Sequence, residues 1–324
     1  ARLIRRRKLC RSTKPTARSC MKTQLAWHNL MHEKGRTLVA TAGVTFALVL
    51  ILMQLGFLGS VVTTATLIYD QLRFDVLITS PEYIDIRKTG TFPRQRLSQA
   101  AAVEGVLDVQ PLYIGLNVWR HPTTLRGRGI LVVGSREPEA VFDLEKGGPP
   151  NFSALSRANA VLIDTSSRKE LGPQRVGVQT EVGGQQVEIA GQFTMGTGFT
   201  ADGAIMVGDQ GFGRLFPYQG IRKVNLGLVR LKPGVDPEQV AERLAEVLPS
   251  DTRVLTRPEM NFRERRFWLV TTSVGVIFGL GTVVAMIVGV AIVYQVLSAD
   301  ITNHRSEYAT LKAVGYGPRQ LAKF

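Results

Sequence analysis

The sequence predicts a membrane protein in which two transmembrane α-helices flank an α+β extracytoplasmic domain. Three observations carry this. Leu269 to Leu297 contains no Asp, Glu, Lys, Arg or His, and a helix rising about 1.5 Å per residue crosses a hydrocarbon core with about 20 apolar residues. A second uncharged run extends from Leu38 to Tyr69. Between them, residues 70–265 alternate strand-like and helix-like patterns and contain no comparable run.

The chain has 324 residues and a formal net charge of +14. A balance this basic raises the question of nucleic acid, but its distribution excludes a nucleic-acid groove. Residues 1–37 hold eleven Lys and Arg against one acid, Glu33, so most of the excess is a flank of the first span. Residues 1–20 are basic, lack apolar periodicity and read as disordered. Met21, just after them, is a plausible true start. Residues 21–37 place Leu25, Trp27, Leu30 and Met31 on one side of an interfacial amphipathic helix.

Lys22, Lys34 and Arg36 lie close enough to the first span to hold the N-terminus in the cytoplasm. The central domain is then outside, and both termini are cytoplasmic. Arg263, Arg265 and Arg266 oppose this orientation, since they precede the second span on its outer side. The first span, residues 38–69 with its extension, is too long for the apolar region of a cleavable signal. Both cysteines, Cys10 and Cys20, lie in the flank, so disulfides do not hold the outer domain together.

Within residues 70–265 the elements follow in order. Phe74 to Thr79 reads as a strand. Phe92 to Val103 reads as a helix entered through Pro93. Val109 to Val118 and Gly129 to Val133 read as further strands. Residues 145–150, EKGGPP, mark a loop or subdomain boundary. Val161 to Asp164 opens a new unit, Ser166 to Leu171 suggests a short helix closed by Gly172, and Val176 to Phe193 is a hairpin turning at Gly183 and Gly184. Gly196 to Gly203 is a loop. Asn225 to Leu231 is a strand. Asp236 caps a helix with Pro237 at its first position and Val240, Leu244, Val247 and Leu248 on its apolar face. Asp251 to Thr256 completes a β-α-β unit. A helix from Asn261 to Trp268 is expected to run straight into the second span, residues 269–297.

Catalytic chemistry is hard to assemble. The sequence has no GxSxG elbow and no phosphate-loop GxxxxGK[ST], and the outer domain has one histidine, His121. His28 and His32 have metal-ligand spacing but no third ligand. No catalytic, cofactor or metal site is expected. In the second span Gly275 and Gly279, then Ala285 and Gly289, have the small-residue spacing that lets helices approach. Gln54 and Gln295 are polar residues suited to bonds across helices. Residues 298–324 form a short cytoplasmic helix with Ile301, Tyr308 and Leu311 on one side. It stops at Gly315, and Pro318 begins a further helix.

The segments Leu25 to Phe57, VLITSPEYIDI, FPRQRLSQAAAVEGVLDVQPLYI and SEYATLKAVGYGPRQL resemble the permease family that includes MacB, the lipoprotein-releasing permeases and FtsX. Within it they resemble more closely the DevC-like permeases of cyanobacterial glycolipid exporters. The resemblance implies a non-catalytic transporter subunit of the inner membrane that transmits motion. Its implied partners are a cytoplasmic ABC ATPase dimer, a periplasmic adaptor, an outer-membrane channel and a second copy of the chain. It also implies ATPase coupling through His304, Arg305, Glu307, Tyr308, Leu311 and Lys312. The family usually has four spans, so two are expected to be missing and the chain reads as truncated. Two other readings remain: a two-span sensor with an external ligand domain, and an anchored extracytoplasmic enzyme.

Overall fold

A strand that is apolar at every position needs cover on both faces of its sheet. Among the described residues Ala204–Val207 has that character; Val76–Thr79 and Ala160–Asp164, apolar but for Thr79 and Asp164, are likewise buried at every position, and the outer domain is organised around them. The structure is a computed structural model and describes residues 34–144, 150–196, 198, 200–303 and 305–315. The expectations for residues 1–33, including His28 and His32, for His304, for most of the 145–150 loop and for the tail after Gly315 lie outside the described residues. The described chain resolves into two compact units, Phe57–Phe278 and the remainder of the two long helices.

In the first unit, a nine-stranded sheet runs in the order β11-β1-β10-β3-β4-β8-β5-β7-β6. Its strands are β1 (Val76–Thr79), β3 (Val106–Arg120), β4 (Gly127–Gly134), β5 (Ala160–Asp164), β6 (Gln179–Val182), β7 (Gln185–Phe193), β8 (Ala204–Val207), β10 (Leu226–Leu231) and β11 (Arg253–Thr256). The short strands β2 (Phe92–Pro93) and β9 (Lys223–Val224) pair separately. The pairs β4 with β8 and β5 with β7 are parallel. The far strand β6 returns to pair with Trp119 and Arg120 of β3. Six strands thereby close on themselves, and β3 is long enough to serve both the closed part and the open part.

The period-two alternation splits each apolar strand between two cores. Val76 and Ile78 of β1, Ile130 and Val132 of β4, and Ile205 and Val207 of β8 enter one cluster. Leu77, Leu131, Val133, Ala204 and Met206 enter the other. Helices cover the first face. They are α2 (Gln95–Ala101), α4 (Asp209–Leu215) and α5 (Pro237–Val247); α3 (Pro138–Val141) is a single turn. Leu97, Phe212, Val240 and Leu244 supply the contacts.

Several expectations need correction. Phe92 and Pro93 are a strand and not the start of a helix, because they pair with Val224 and Lys223. Residues 166–171 form only a 3-10 turn, Lys169–Leu171, closed by Gly172 at φ 90°. Val247 is 56% exposed, so the buried face of α5 is Val240, Leu244 and Leu248. The hairpin forms with Gly183 at φ 56° and Gly184 at φ 81°, the positive pair a tight two-residue turn requires. Strands β10 and β11 both pair antiparallel with β1, so the β-α-β unit is split by the strand between its arms.

Among the described residues two helices are long and apolar enough to cross a membrane, α1 (Lys34–Thr66) and α7 (Ser273–Asn303). Leu38, Val39, Phe46, Leu52 and Met53 of α1 and Ile277, Leu280, Ile287 and Val290 of α7 are exposed, as lipid-facing side chains are. Helix α6 (Arg257–Arg266) does not run straight into α7. A π-turn, Phe267–Thr271, follows α6 and ends at Thr272, whose ψ of 146° is extended. Thr272 Oγ1 donates to the Trp268 carbonyl at 2.6 Å and accepts from Gly275 N at 3.3 Å, acting as the cap of α7.

Candidate functional site

The arrangement with the most unusual chemistry lies where the outer domain meets the membrane helices. Three buried groups from separate parts of the chain form a line. Tyr69 follows α1 in a 3-10 turn, Tyr83 sits in the loop after β1, and Glu264 is on α6. Tyr83 Oη donates to Glu264 Oε1, and the two tyrosine hydroxyls bond each other. All three residues are at most 1% exposed. Burial pushes the Glu264 carboxyl up to about 7; hydrogen bonding from Tyr83 counteracts this, and the neighbouring Asp85 charge adds to it. Burial likewise raises both phenols well above their ordinary value.

Ionic groups surround this line. Arg87 pairs with Asp85 through Nε at 3.0 Å, and its guanidinium lies 5.0 Å from the centre of the Trp268 ring. Arg263 Nη2 donates to the Tyr83 carbonyl at 2.8 Å. Arg257, the first residue of α6, donates to three backbone carbonyls: Phe74 at 2.9 Å, Tyr69 at 3.2 Å and Leu72 at 2.6 Å. One side chain thus ties the chain leaving α1 to the start of the helix that leads into α7. Thr256 and Glu259 fix that helix end with a reciprocal capping box. Val61 and Ala65 at the outer end of α1 pack on Trp268, with Phe267, Leu269, Val274 and Phe278 around them.

Each connection between the domain and a membrane helix is held by several bonds, while the π-turn provides a discrete break in the helix. None of Tyr69, Tyr83, Arg257 or Glu264 stands out in the sequence, because their partners are up to 188 residues away. The single available signal is an acid, Glu264, beside the beginning of an apolar span.

The expected packing residues fall in different places. An added Cβ at Gly275 would lie 2.2 Å from the Trp268 carbonyl oxygen and 2.4 Å from that of Leu269, so this glycine accommodates the π-turn. At Gly279 it would meet nothing within 4 Å. Ala285 is 8% exposed. Gly289 faces Ile51 of α1, whose Cδ1 would be 2.8 Å from an added Cβ. Two glycines not singled out by spacing also face the other helix: Gly43 toward Ile292, and Gly281 toward the Gln54 amide at 3.0 Å. Gln295 lines a shallow surface pocket with Tyr294 and Ser298. In the tail, α8 (Arg305–Ala313) carries Arg305, Glu307, Tyr308, Leu311 and Lys312; Arg305 and Lys312 are exposed. His121 Nδ1 accepts from Thr123 N and Thr124 N, so it shapes a turn.

The model of the MacB-like periplasmic core domain matches residues 37–247, and that of the FtsX-like permease C-terminal region matches residues 268–324. The chain belongs to the MacB/FtsX family of ABC transporter permeases. No curated protein sequence matches it. Among solved structures, the periplasmic region of MacB from Actinobacillus actinomycetemcomitans is similar at 11% identity. That similarity covers 58% of this chain and 91% of that one, with a TM-score of 0.42. The extracellular domain of the noncanonic ABC-type transporter YknZ from Gram-positive bacteria is 17% identical, covering 57% and 100%, with a TM-score of 0.39. A domain of a putative permease from Porphyromonas gingivalis is 17% identical, covering 57% and 89%, with a TM-score of 0.38. The permease is thus an inner-membrane protein with an extracytoplasmic central domain, and permeases of its family work with ABC ATPases.

Proposed function

We propose that this permease is the membrane subunit of an export complex driven by a separate cytoplasmic ABC ATPase dimer. It works as a homodimer with both termini in the cytoplasm. Its cargo is a glycolipid or another amphiphile, passed to a periplasmic adaptor and an outer-membrane channel. The observation that carries this reading is the junction itself. Arg257 and the Tyr69, Tyr83 and Glu264 line bind the domain to the ends of both membrane helices, which is what a subunit that conveys motion needs.

Contact with the ATPase is assigned to His304, Arg305, Glu307, Tyr308, Leu311 and Lys312, on the segment following α7. The exposed charges of Arg305 and Lys312 favour an acidic or polar groove on the motor. Gly275, Gly279, Ala285 and Gly289 are assigned to close packing around the second span. The resemblance to DevC-like permeases supports the cargo class.

The test is co-purification with the ATPase after simultaneous reversal to Arg305→Glu and Glu307→Arg. A loss of the complex, with the chain still inserted and folded, is the expected outcome. An unchanged complex removes these residues from the contact.

A further inference from the structure

Three arginines stand where the distribution of charge around membrane helices disfavours them. Arg263, Arg265 and Arg266 close α6 on the extracytoplasmic side, whereas Lys and Arg near a span are otherwise retained in the cytoplasm. Among the described residues no ion pair joins any of the three to a carboxylate. The helix dipole accounts for little of this, because α6 has no free end: the Arg263 and Glu264 carbonyls accept from Phe267 N.

Arg263 and Arg266 line an open groove of about 520 Å³ together with Ile84, Phe262, Phe267 and Glu259. Phe262 is 68% and Ile84 48% exposed. Glu259 is the groove's single acid, and its carboxylate is engaged in capping α6 through Thr256 N at 2.8 Å. Arg263 Nε is buried and has no partner. The groove therefore combines two guanidinium groups against one carboxylate, a net positive charge, with bare apolar surface.

Its depth relative to the bilayer follows from the chain. Arg266 precedes the uncharged run at Leu269 by three residues, and only the π-turn Phe267–Thr271 and Thr272 separate it from α7, so the arginines stand just outside the membrane-crossing helix. The headgroup layer occupies about 5–8 Å on each side of the hydrocarbon core. From there the long arginine side chains are within reach of the headgroup layer.

We propose that this groove holds the headgroup of an anionic phospholipid of the outer leaflet. The lipid phosphate lies between the guanidinium groups of Arg263 and Arg266, and its glycerol and upper acyl segments cover Phe262 and Ile84. Guanidinium suits this role because its planar fork matches phosphate oxygens. The lipid is a fixed ligand of the junction and distinct from any cargo, so the assignment does not depend on what the complex exports.

Trp268 adjoins the groove through its edge contact with Phe267 and reports on the lipid beside it. The full chain carrying Trp27→Phe is placed in neutral detergent with either brominated phosphatidylglycerol or brominated phosphatidylcholine, and quenching of tryptophan emission is measured. Trp119, wholly buried in the outer domain, provides an unquenched background. Phosphatidylglycerol is expected to quench preferentially. Arg266→Gln weakens that preference by about tenfold, the lower end of what one hydrogen bond to a charged group contributes. Arg266→Lys retains most of it, and the distant exposed Arg175→Gln leaves it unchanged. Arg266 makes no bond that folding needs, so its variants remain folded. Equal quenching by the two lipids, or a preference that survives Arg266→Gln, overturns the proposal. Labelling of Phe262→Cys that is blocked by raising protein concentration in lipid-free micelles also overturns it, by assigning the groove to a second copy.

Discussion

Replacing Glu264 by Gln removes one ionisation from the buried junction and keeps an oxygen for the Tyr83 hydroxyl. In the unfolded chain a glutamate titrates near 4.5, whereas burial in the folded chain holds Glu264 up to about 7. Between those values the folded state binds the additional proton. The associated stability is therefore complete below about pH 4.5, falls as pH rises through the window, and is lost above about 7. A separation of this size corresponds to about 3 kcal/mol. The groups facing the carboxyl are Tyr83, Trp268, Tyr69, Asp85 with its partner Arg87, and Arg263, and the substitution leaves all of them in place. Denaturant unfolding of the full chain in neutral detergent, followed by tryptophan emission from pH 4.5 to 8, measures the difference. The parent is expected to lose stability across the window while the Gln variant stays flat. At pH 8 the variant is then more stable by up to about 3 kcal/mol, and near pH 4.5 the two are similar. Parallel profiles for the two proteins would refute the reasoning, because they would mean that Glu264 is solvated or fully compensated.

Gly275→Ala places a Cβ within 2.4 Å of two carbonyl oxygens and is expected to cost about 1–3 kcal/mol by forcing the π-turn open; thermal unfolding in detergent measures this, and a neutral result means that the turn relaxes freely. Asp164 is fully buried and accepts from the backbone N–H groups of Ser166, Met195 and Gly196. Asp164→Ala strands those donors and is expected to destabilise the outer domain by about 3 kcal/mol or more, with Asp164→Asn recovering part of the loss. Trp119→Phe deletes the buried bond from its indole N–H to the Leu171 carbonyl, 2.9 Å long, and should cost about 1–3 kcal/mol in the same assay.

The parts of the fold visible in the sequence are those set by local rules. Asp236 followed by Pro237 marks a helix start, and Asp236 does accept from Glu238 N. The Gly183 and Gly184 pair marks the hairpin because positive φ is cheap there. The strand β8, Ala204–Val207, has no such local mark. Its four apolar residues follow a glycine-rich loop, and their role depends on β4 and β5, which flank it in the sheet. The candidate site was less legible. The tail and the small residues of the second span have motifs, whereas the junction has none. Tyr83 and Glu264 are 181 residues apart, and Arg257 reaches back 188 residues to Tyr69.

By itself the sequence determined that two uncharged runs span a bilayer and enclose a mixed domain, because the cost of burying charge and unpaired backbone in hydrocarbon is enforced residue by residue along the chain. Tertiary structure decided the arrangement within the unit Phe57–Phe278. It closed six strands on themselves through the β3 and β6 pairing, interrupted the path from α6 to α7 at Thr272, and buried Glu264 against two tyrosines. Those features arise from contacts between segments remote in sequence, where packing and desolvation override local preference, and no window along the chain contains them.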